Sequence, residues 1–185
     1  MSTTKTMRTV VAAALLCAAV GVAFDAQPAH AAALDSACGS EVWNNGNSDY
    51  YLAENSCWNP GGLDITVVVF PNDPVWDANL YVELVYQGDG NLVEYCKAGP
   101  TNAPIHQTVL WASNSNGSSG GSSSRLAMQS DGNLVVYNAS DHPVFASGTN
   151  NHPTDYAALQ TDGNLVIYNG NGAALWSTRT NGKCG

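Results

Sequence analysis

Five residue types that could bind a polar ring recur at alternate positions in three segments. Residues 87–95 read QGDGNLVEY, residues 129–137 read QSDGNLVVY, and residues 160–168 read QTDGNLVIY. Each segment supplies a glutamine, an aspartate, an asparagine, a valine and a tyrosine. These side chains combine amide, carboxylate and phenol groups with one small apolar group. A sugar ring presents matching features, since its hydroxyls surround a less polar C–H surface, so the pattern predicts carbohydrate binding.

Each segment also predicts a β-hairpin, because an Asp-Gly turn signal lies between apolar runs. A three-residue loop, 130–132, pairs Gln129 with Asn133 and Met128 with Leu134, which separates the apolar from the polar face. It also puts Gly132 at the loop position that needs a positive φ. The predicted inward face of repeat two is Leu126, Met128, Leu134 and Val136. The predicted outward face is Gln129, Asn133, Val135 and Tyr137, with Asp131 at the tip; repeat three follows the same register.

The turn needs only part of this pattern. Aspartate and asparagine are common turn formers, and tyrosine is common in strands. A turn does not require the glutamine or the tyrosine, yet all three copies keep both. The repetition therefore favours binding over a merely structural role.

The segments match the signature Q-x-D-x-N-x-V-x-Y, and the chain resembles the bulb-type (monocot mannose-binding, snowdrop-like) lectins. The resemblance implies an all-β fold, a β-prism II with three four-stranded antiparallel sheets around a pseudo-threefold axis. It also implies up to three shallow mannose sites that need no metal or other cofactor. In this family Gln, Asp and Asn hold the O2 and O3 hydroxyls, Tyr holds O4, and Val touches the ring. The implied site residues are Gln87, Asp89, Asn91, Val93, Tyr95, Gln129, Asp131, Asn133, Val135, Tyr137, Gln160, Asp162, Asn164, Val166 and Tyr168.

A second, fainter repeat follows each signature. It reads WASNSN from residue 111, FASGTN from residue 145 and WSTRTN from residue 176. Two insertions, in the segments 96–106 and 117–124, account for the unequal spacing of the signatures, and both are predicted to be surface loops. The aromatic residues Trp111, Phe145 and Trp176 are predicted to pack near the prism axis.

The first 31 residues resemble a secretory signal peptide. Lys5 and Arg8 precede an apolar stretch, and Ala29-His30-Ala31 is typical of a cleavage site. Leu16 stands where a lipid-anchored Cys17 would need a small residue, so a lipid anchor is not favoured. The chain has 6 Lys and Arg and 15 Asp and Glu; removing the segment leaves 4 and 14, a net charge of about −10. This negative charge argues against nucleic acid as a partner. The signal segment, with no second long apolar run after it, predicts a secreted, extracellular protein without membrane insertion.

Three domains are expected: the signal peptide at 1–31, an N-terminal extension at 32–75 and the lectin prism at 76–185. The extension lacks the signature, but Asp64 to Phe70 predicts a strand that partly replaces the first strand of the prism. Four cysteines remain in the exported chain, Cys38, Cys57, Cys96 and Cys184, which suggests two disulfides. Their pairing is open by sequence. Cys38–Cys57 is favoured because it would close a local N-terminal loop. The resemblance favours Cys96–Cys184, since the family's C-terminal strand completes the first sheet.

Glu94 departs from the pattern, because it occupies the inward position that Val136 and Ile167 fill in the other repeats. A buried unpaired carboxylate is costly. We therefore expect either an open first sheet or a partner for Glu94 in the N-terminal extension. This makes the first site the one least like the family.

Two other functions compete with that of a mannose lectin. A lectin-like antimicrobial or interaction protein would use the same sites on microbial surface glycans. A secreted hydrolase fits poorly, because the signature aspartates lie on separate hairpins and cannot form a catalytic carboxylate pair. His106, His142 and His152 are predicted to lie in loops, without a serine or metal motif. We therefore predict a carbohydrate-binding protein that is not an enzyme, with mannose or mannose-rich glycans as partners and a homodimer left open.

Overall fold

Thirteen β-strands form the secondary structure of the residues that the computed structural model describes, which are 42–44, 49–101, 103–118, 124–152 and 156–185. The strands are β1 (Val42–Asn44), β2 (Tyr50–Leu52), β3 (Ser56–Trp58), β4 (Asp64–Asp73), β5 (Ala78–Tyr86), β6 (Leu92–Ala98), β7 (His106–Ala112), β8 (Arg125–Met128), β9 (Leu134–Tyr137), β10 (Pro143–Ala146), β11 (Tyr156–Leu159), β12 (Leu165–Tyr168) and β13 (Ala174–Ser177). The predicted signal peptide, 1–31, and Cys38 lie outside the described residues.

The strands form three antiparallel sheets, one for each signature. The first sheet has the order β4-β5-β6-β7, the second β10-β9-β8-β3, and the third β1-β2-β11-β12-β13. This confirms the predicted all-β prism of three sheets. The prediction of four strands holds for the first two sheets and is wrong for the third, because β1 pairs with β2 and adds a fifth strand.

Each sheet contains strands from the N-terminal extension, which was expected to replace part of the first strand of the prism only. β4 completes the first sheet, β3 the second, and β2 with β1 the third. In β4 the alternation places Ile65 and Val67 in the core, as the period of two requires. Within the described residues, the segment 42–73 is therefore part of the prism's sheets.

The C-terminal segment does not take the family's expected place. Residues 178–185 contain no strand, and β4 occupies the edge of the first sheet that they were expected to fill. The predicted Cys96–Cys184 disulfide is nevertheless present, with its Cα atoms 5.3 Å apart. It fastens the end of the chain to β6. Cys57 is also disulfide-bonded, but its predicted partner lies outside the described residues.

The first insertion, predicted to be a surface loop at 96–106, mainly lengthens the hairpin of β6 and β7. Cys96, Lys97 and Ala98 on β6 pair with Thr108, Gln107 and His106 on β7. The pairing of the two strands therefore extends as far as Ala98 and His106. His106, predicted to lie in a loop, begins β7 and stacks on Trp76 with ring centroids 4.6 Å apart.

The predicted hairpin register is confirmed. Met128 pairs with Leu134 and Leu126 with Val136, and all four side chains are fully buried. The loop closes with Gly132 N donating to Gln129 O at 3.0 Å, and Gly132 has a φ of 88°. In repeat three, Gly163 has a φ of 81°, and a Cβ there would lie 2.9 Å from Val82 Cγ2. Glycine is therefore required at Gly163 both by the turn and by the neighbouring sheet.

The three predicted axial aromatics meet one another. The ring centroids of Trp111 and Phe145 are 5.5 Å apart, those of Trp111 and Trp176 5.6 Å, and those of Phe145 and Trp176 6.1 Å, all with edge-to-face geometry. This is the favourable arrangement of aromatic pairs. One ring from each sheet therefore lies at the centre, as a pseudo-threefold axis requires.

Glu94 is fully buried, and its partner differs from both expectations. The first sheet is closed at this point, and Thr180, from the segment after β13, donates from Oγ1 to Glu94 Oε2 at 3.1 Å. The other carboxyl oxygen, Oε1, has no hydrogen-bond partner. Burial raises the pKa of Glu94 to about 7, against the lowering effect of the Thr178 and Thr180 hydroxyls and the Leu165 backbone. The partner therefore comes from repeat three and not from the N-terminal extension.

Candidate carbohydrate-binding sites

The signature aspartate has the same position at each hairpin tip. Its Oδ1 accepts a hydrogen bond from the backbone N of the signature asparagine, at 3.0 Å in repeat one, 3.1 Å in repeat two and 3.0 Å in repeat three. This is the local turn that aspartate commonly forms. One carboxylate oxygen thus holds the loop, which orients the second oxygen of each carboxylate.

The signature asparagine is anchored by a pair of hydroxyl groups. In repeat two, Ser147 Oγ donates to Asn133 Oδ1 at 2.9 Å and accepts from Leu134 N at 3.0 Å. Thr149 Oγ1 lies 2.8 Å from Ser147 Oγ and donates to Gly132 O at 2.6 Å. The backbone N of Gly148 and of Thr149 also donates to Asn133 Oδ1. Because all of these groups donate, the side-chain atom that faces them is the oxygen Oδ1. The Nδ2 group therefore points away from them and is free to donate to a ligand.

The other two repeats use equivalent hydroxyls. Ser113 and Ser115 hold Asn91 in repeat one, and Thr178 and Thr180 hold Asn164 in repeat three. Sequence reasoning missed these residues. A signal was present, because a serine or threonine stands two and four positions after the axial aromatic in every copy of the fainter repeat. The fainter repeat therefore supports the site as well as the axis.

The signature glutamine and tyrosine contact each other directly in two repeats. Gln87 Nε2 donates to the Tyr95 hydroxyl at 2.8 Å, and Gln129 Nε2 donates to the Tyr137 hydroxyl at 2.8 Å. The tyrosine oxygen thus accepts, and its own proton remains a donor. Burial raises the pKa of Tyr137 further above neutral pH. In repeat three, Tyr168 stacks on Tyr156.

The signature valines offer less surface than expected. Val93, Val135 and Val166 are only 2%, 1% and 3% exposed. They lie outside the apolar core cluster of the prism, consistent with the predicted outward register. The signature valines therefore present little apolar surface to a ligand.

The three sites differ in what borders the signature tyrosine. In the first, the residue paired with Tyr95 is Glu83, which forms an ion pair with Lys97 at 2.6 Å. In the second, Arg125 pairs with Tyr137 in the sheet and its guanidinium lies 4.7 Å from the ring centroid.

In the third site the residue paired with Tyr168 is Tyr156, an aromatic neighbour instead of a charged one. Asp162 there borders a depression of about 270 Å³ that Val69, Thr161 and Gly182 also line. The second site is the most covered, with Tyr137 only 4% exposed. Sites two and three share one hairpin register but therefore have different surroundings.

The described parts of the chain contain no group of three or more His, Cys, Asp or Glu arranged to hold a metal ion. A membrane-spanning helix is not found among the described residues either.

Comparisons with known proteins agree with the signature. Residues 108–183, which contain the second and third signatures, match the family model described as D-mannose binding lectin. A monomeric monocot mannose-binding lectin from Gastrodia elata is 30% identical over 71% of this chain and 97% of its own, with a TM-score of 0.49. The mannose-specific agglutinin from snowdrop (Galanthus nivalis) bulbs, complexed with methyl-α-D-mannoside, is 33% identical over 70% of this chain and 95% of its own, with a TM-score of 0.44.

No curated relative matches the chain. The identities nevertheless extend over nearly the whole length of both solved lectins, and the signature residues are present in all three repeats. By sequence, the chain belongs to the bulb-type, D-mannose-binding lectin family, whose members are carbohydrate-binding proteins and not enzymes.

Proposed function

We propose that the chain is a secreted lectin that binds mannose or mannose-containing glycans at three metal-free sites, one on each sheet. The observation that carries this proposal is the anchoring of the signature asparagine. In every repeat a hydroxyl pair holds Oδ1 and directs Nδ2 outward, beside an aspartate whose Oδ1 is committed to the turn. Such preorganisation lowers the entropic cost of binding a small polar ligand.

Each site then offers a donor, an acceptor and a second donor. The asparagine Nδ2 and the second aspartate oxygen bind the O2 and O3 hydroxyls, and the tyrosine hydroxyl binds O4. The glutamine holds the tyrosine in the first two sites and completes the set. The net charge of −9 on the chain favours such a neutral ligand over an anionic one.

Retention on immobilised mannan tests the proposal. The protein is expected to bind the resin at neutral pH in the presence of a chelator, and to elute with free mannose but not with equal glucose, which differs at O2. Binding per site is expected to be weak and strengthened by the three sites acting together. Passage through the column without retention, or retention that mannose does not reverse, would contradict the assignment.

Export is part of the same proposal. Mass spectrometry of protein recovered from the culture medium is expected to show a chain that begins at Ala32. Binding to whole microbial cells that free mannose reverses would extend the proposal to microbial surface glycans, which would be recognised by the same residues.

A further inference from the structure

Four aromatic side chains on neighbouring strands of the third sheet form a continuous series, which we call the aromatic row: Trp43, Tyr51, Tyr156 and Tyr168. The ring centroids of Trp43 and Tyr51 are 4.2 Å apart. Those of Tyr51 and Tyr156, and those of Tyr156 and Tyr168, are each 5.5 Å apart. The last member, Tyr168, belongs to the third signature. The row therefore runs from the edge of the sheet into the candidate site.

The sheet register puts the row on the same side as the site. Trp43 pairs with Tyr51, Tyr51 with Ala158, and Ala158 with the signature residue Val166. Residues that are directly opposite on neighbouring strands share a face. Tyr156 and Tyr168 form the adjacent pair on that face. The axial ring Trp176 pairs with Ile167, on the opposite, inward face.

The row is restricted to the third sheet. In the second sheet, Cys57 pairs with Ala127, and Arg125 takes the place of Tyr156. In the first sheet, Glu83 takes the place of Tyr156, and Thr66 pairs with Glu83. Sheet stabilisation explains why paired rings contact each other, but it does not explain why Trp43, on the edge strand β1, remains 49% exposed.

We infer that the aromatic row is an extension of the third site, and that it binds the sugar residues linked to the mannose in an oligosaccharide. The inference rests on the proposed function, because it takes Tyr168 as part of a mannose site. Trp43 and Tyr168 are three strands apart, about 14 Å, which is longer than one sugar ring.

The chemistry of the row favours a glycan as the occupant. An indole and three phenols present apolar rings with N–H or O–H groups at their edges. The C–H face of a pyranose packs on such rings while its hydroxyls reach their polar edges. The row itself contains no charged side chain, in contrast to Glu83 and Lys97 at the first site and Arg125 at the second. Only the third site is therefore extended by an uncharged surface, which suits a neutral ligand longer than one sugar ring.

The test uses a protein in which only the third site is intact. The changes Asp89→Asn and Asp131→Asn remove the first two sites, and calorimetry then compares methyl-α-mannoside with a linear α-linked mannotrioside. The trioside is expected to bind more tightly than the monosaccharide. Trp43→Thr is expected to lower trioside affinity about fivefold, the loss expected for one aromatic contact, and to leave monosaccharide affinity unchanged.

Two controls separate a ligand contact from a folding effect. Trp76→Thr changes a tryptophan that is 39% exposed in the turn between β4 and β5, and is expected to change neither affinity. Trp43→Phe keeps an aromatic ring and is expected to retain most of the trioside affinity. In the unsubstituted third site, the indole N–H signal of Trp43 is expected to shift with trioside and to stay in place with monosaccharide.

The outcomes distinguish the two proposals. If neither sugar binds, the proposed function fails at the third site, and the row loses its basis with it. If the monosaccharide binds but the trioside gains nothing from Trp43 and leaves its indole signal unmoved, the function stands. The row is then a stabilising feature of the sheet only, and the inference is overturned.

Discussion

Replacing all three signature aspartates by asparagine is expected to abolish retention on mannan and to leave the fold intact. Asparagine keeps an Oδ1 acceptor, so the turn bond from the following backbone N, at 3.0 to 3.1 Å, is preserved. The second carboxylate oxygen becomes an amide, which cannot accept from a sugar hydroxyl. Loss of this acceptor removes a hydrogen bond to the sugar and also leaves the sugar hydroxyl facing an amide N–H, which cannot accept its proton. The measurement is the elution volume on mannan resin, with circular dichroism and the thermal midpoint as checks on folding.

The chain offers a matched control and a graded series. Asp73 caps a turn in the same way, accepting from Val75 N at 2.9 Å and Trp76 N at 3.2 Å, outside the signatures. Asp73→Asn is therefore expected to leave retention unchanged. The double change of Asp131 and Asp162 is expected to remove most of it. Full retention by the triple variant would show that these carboxylates do not contact the sugar.

Replacing Glu94 by valine is expected to stabilise the protein at neutral pH. Valine is the residue at the equivalent position of repeat two, Val136, which is fully buried. The pKa of Glu94 is raised from 4.5 to about 7, first by burial. At pH 7.5 the folded protein therefore holds a disfavoured carboxylate, and the penalty is on the order of 3 kcal/mol relative to acid pH. Urea unfolding of the wild type and of Glu94→Val at several pH values measures this difference in the free energy of unfolding.

The sign of the pH dependence follows from the raised pKa. Below about pH 4.5 Glu94 is protonated in both states, and its contribution to stability is at its maximum. Between 4.5 and about 7 the unfolded chain loses this proton while the folded chain keeps it, so the free energy of unfolding falls as pH rises. Above about 7 the loss levels off. The uncharged variant Glu94→Gln, of similar shape, is expected to remove this fall.

A parallel pH dependence in wild type and Glu94→Gln would contradict this description of the carboxyl. The binding sites provide a further check. Thr180, which contacts Glu94, also donates from its backbone N to Asn164 Oδ1 at 3.1 Å. That backbone bond does not depend on the carboxyl, so mannose affinity at the third site is expected to survive both substitutions.

The sequence predicts the hairpins well because each is a local structure. The alternation of Leu126, Met128, Leu134 and Val136 permits a single register that buries them all, and a one-residue slip would expose the whole set. The axial ring contacts of Trp111, Phe145 and Trp176 follow from the same repetition. A feature that lies within one repeat and recurs in all three repeats is therefore predicted correctly from the sequence.

Features that depend on contacts between distant segments were not predictable in the same way. The strands β1, β2 and β3 have only three residues each, too few to show a period of two. β2 and β3 pair with strands that lie more than 65 positions away in the sequence, and β1 pairs with β2. The partner of Glu94 is similarly remote, since Thr180 is 86 residues along the chain. The Cys96–Cys184 disulfide is present although the C-terminal strand that predicts it is not. The segment after β13 lies beside β6 without forming a strand of the first sheet.

The central claim is that the signature side chains themselves bind mannose. It is tested most directly by titrating isotope-labelled protein with methyl-α-mannoside and following the side-chain amide signals of Asn91, Asn133 and Asn164 by NMR. Their Nδ2 groups are the outward donors of the three sites, so all three signals are expected to shift and saturate with mannoside, and to remain fixed with galactoside. Signals that stay in place at saturating mannoside would contradict the claim.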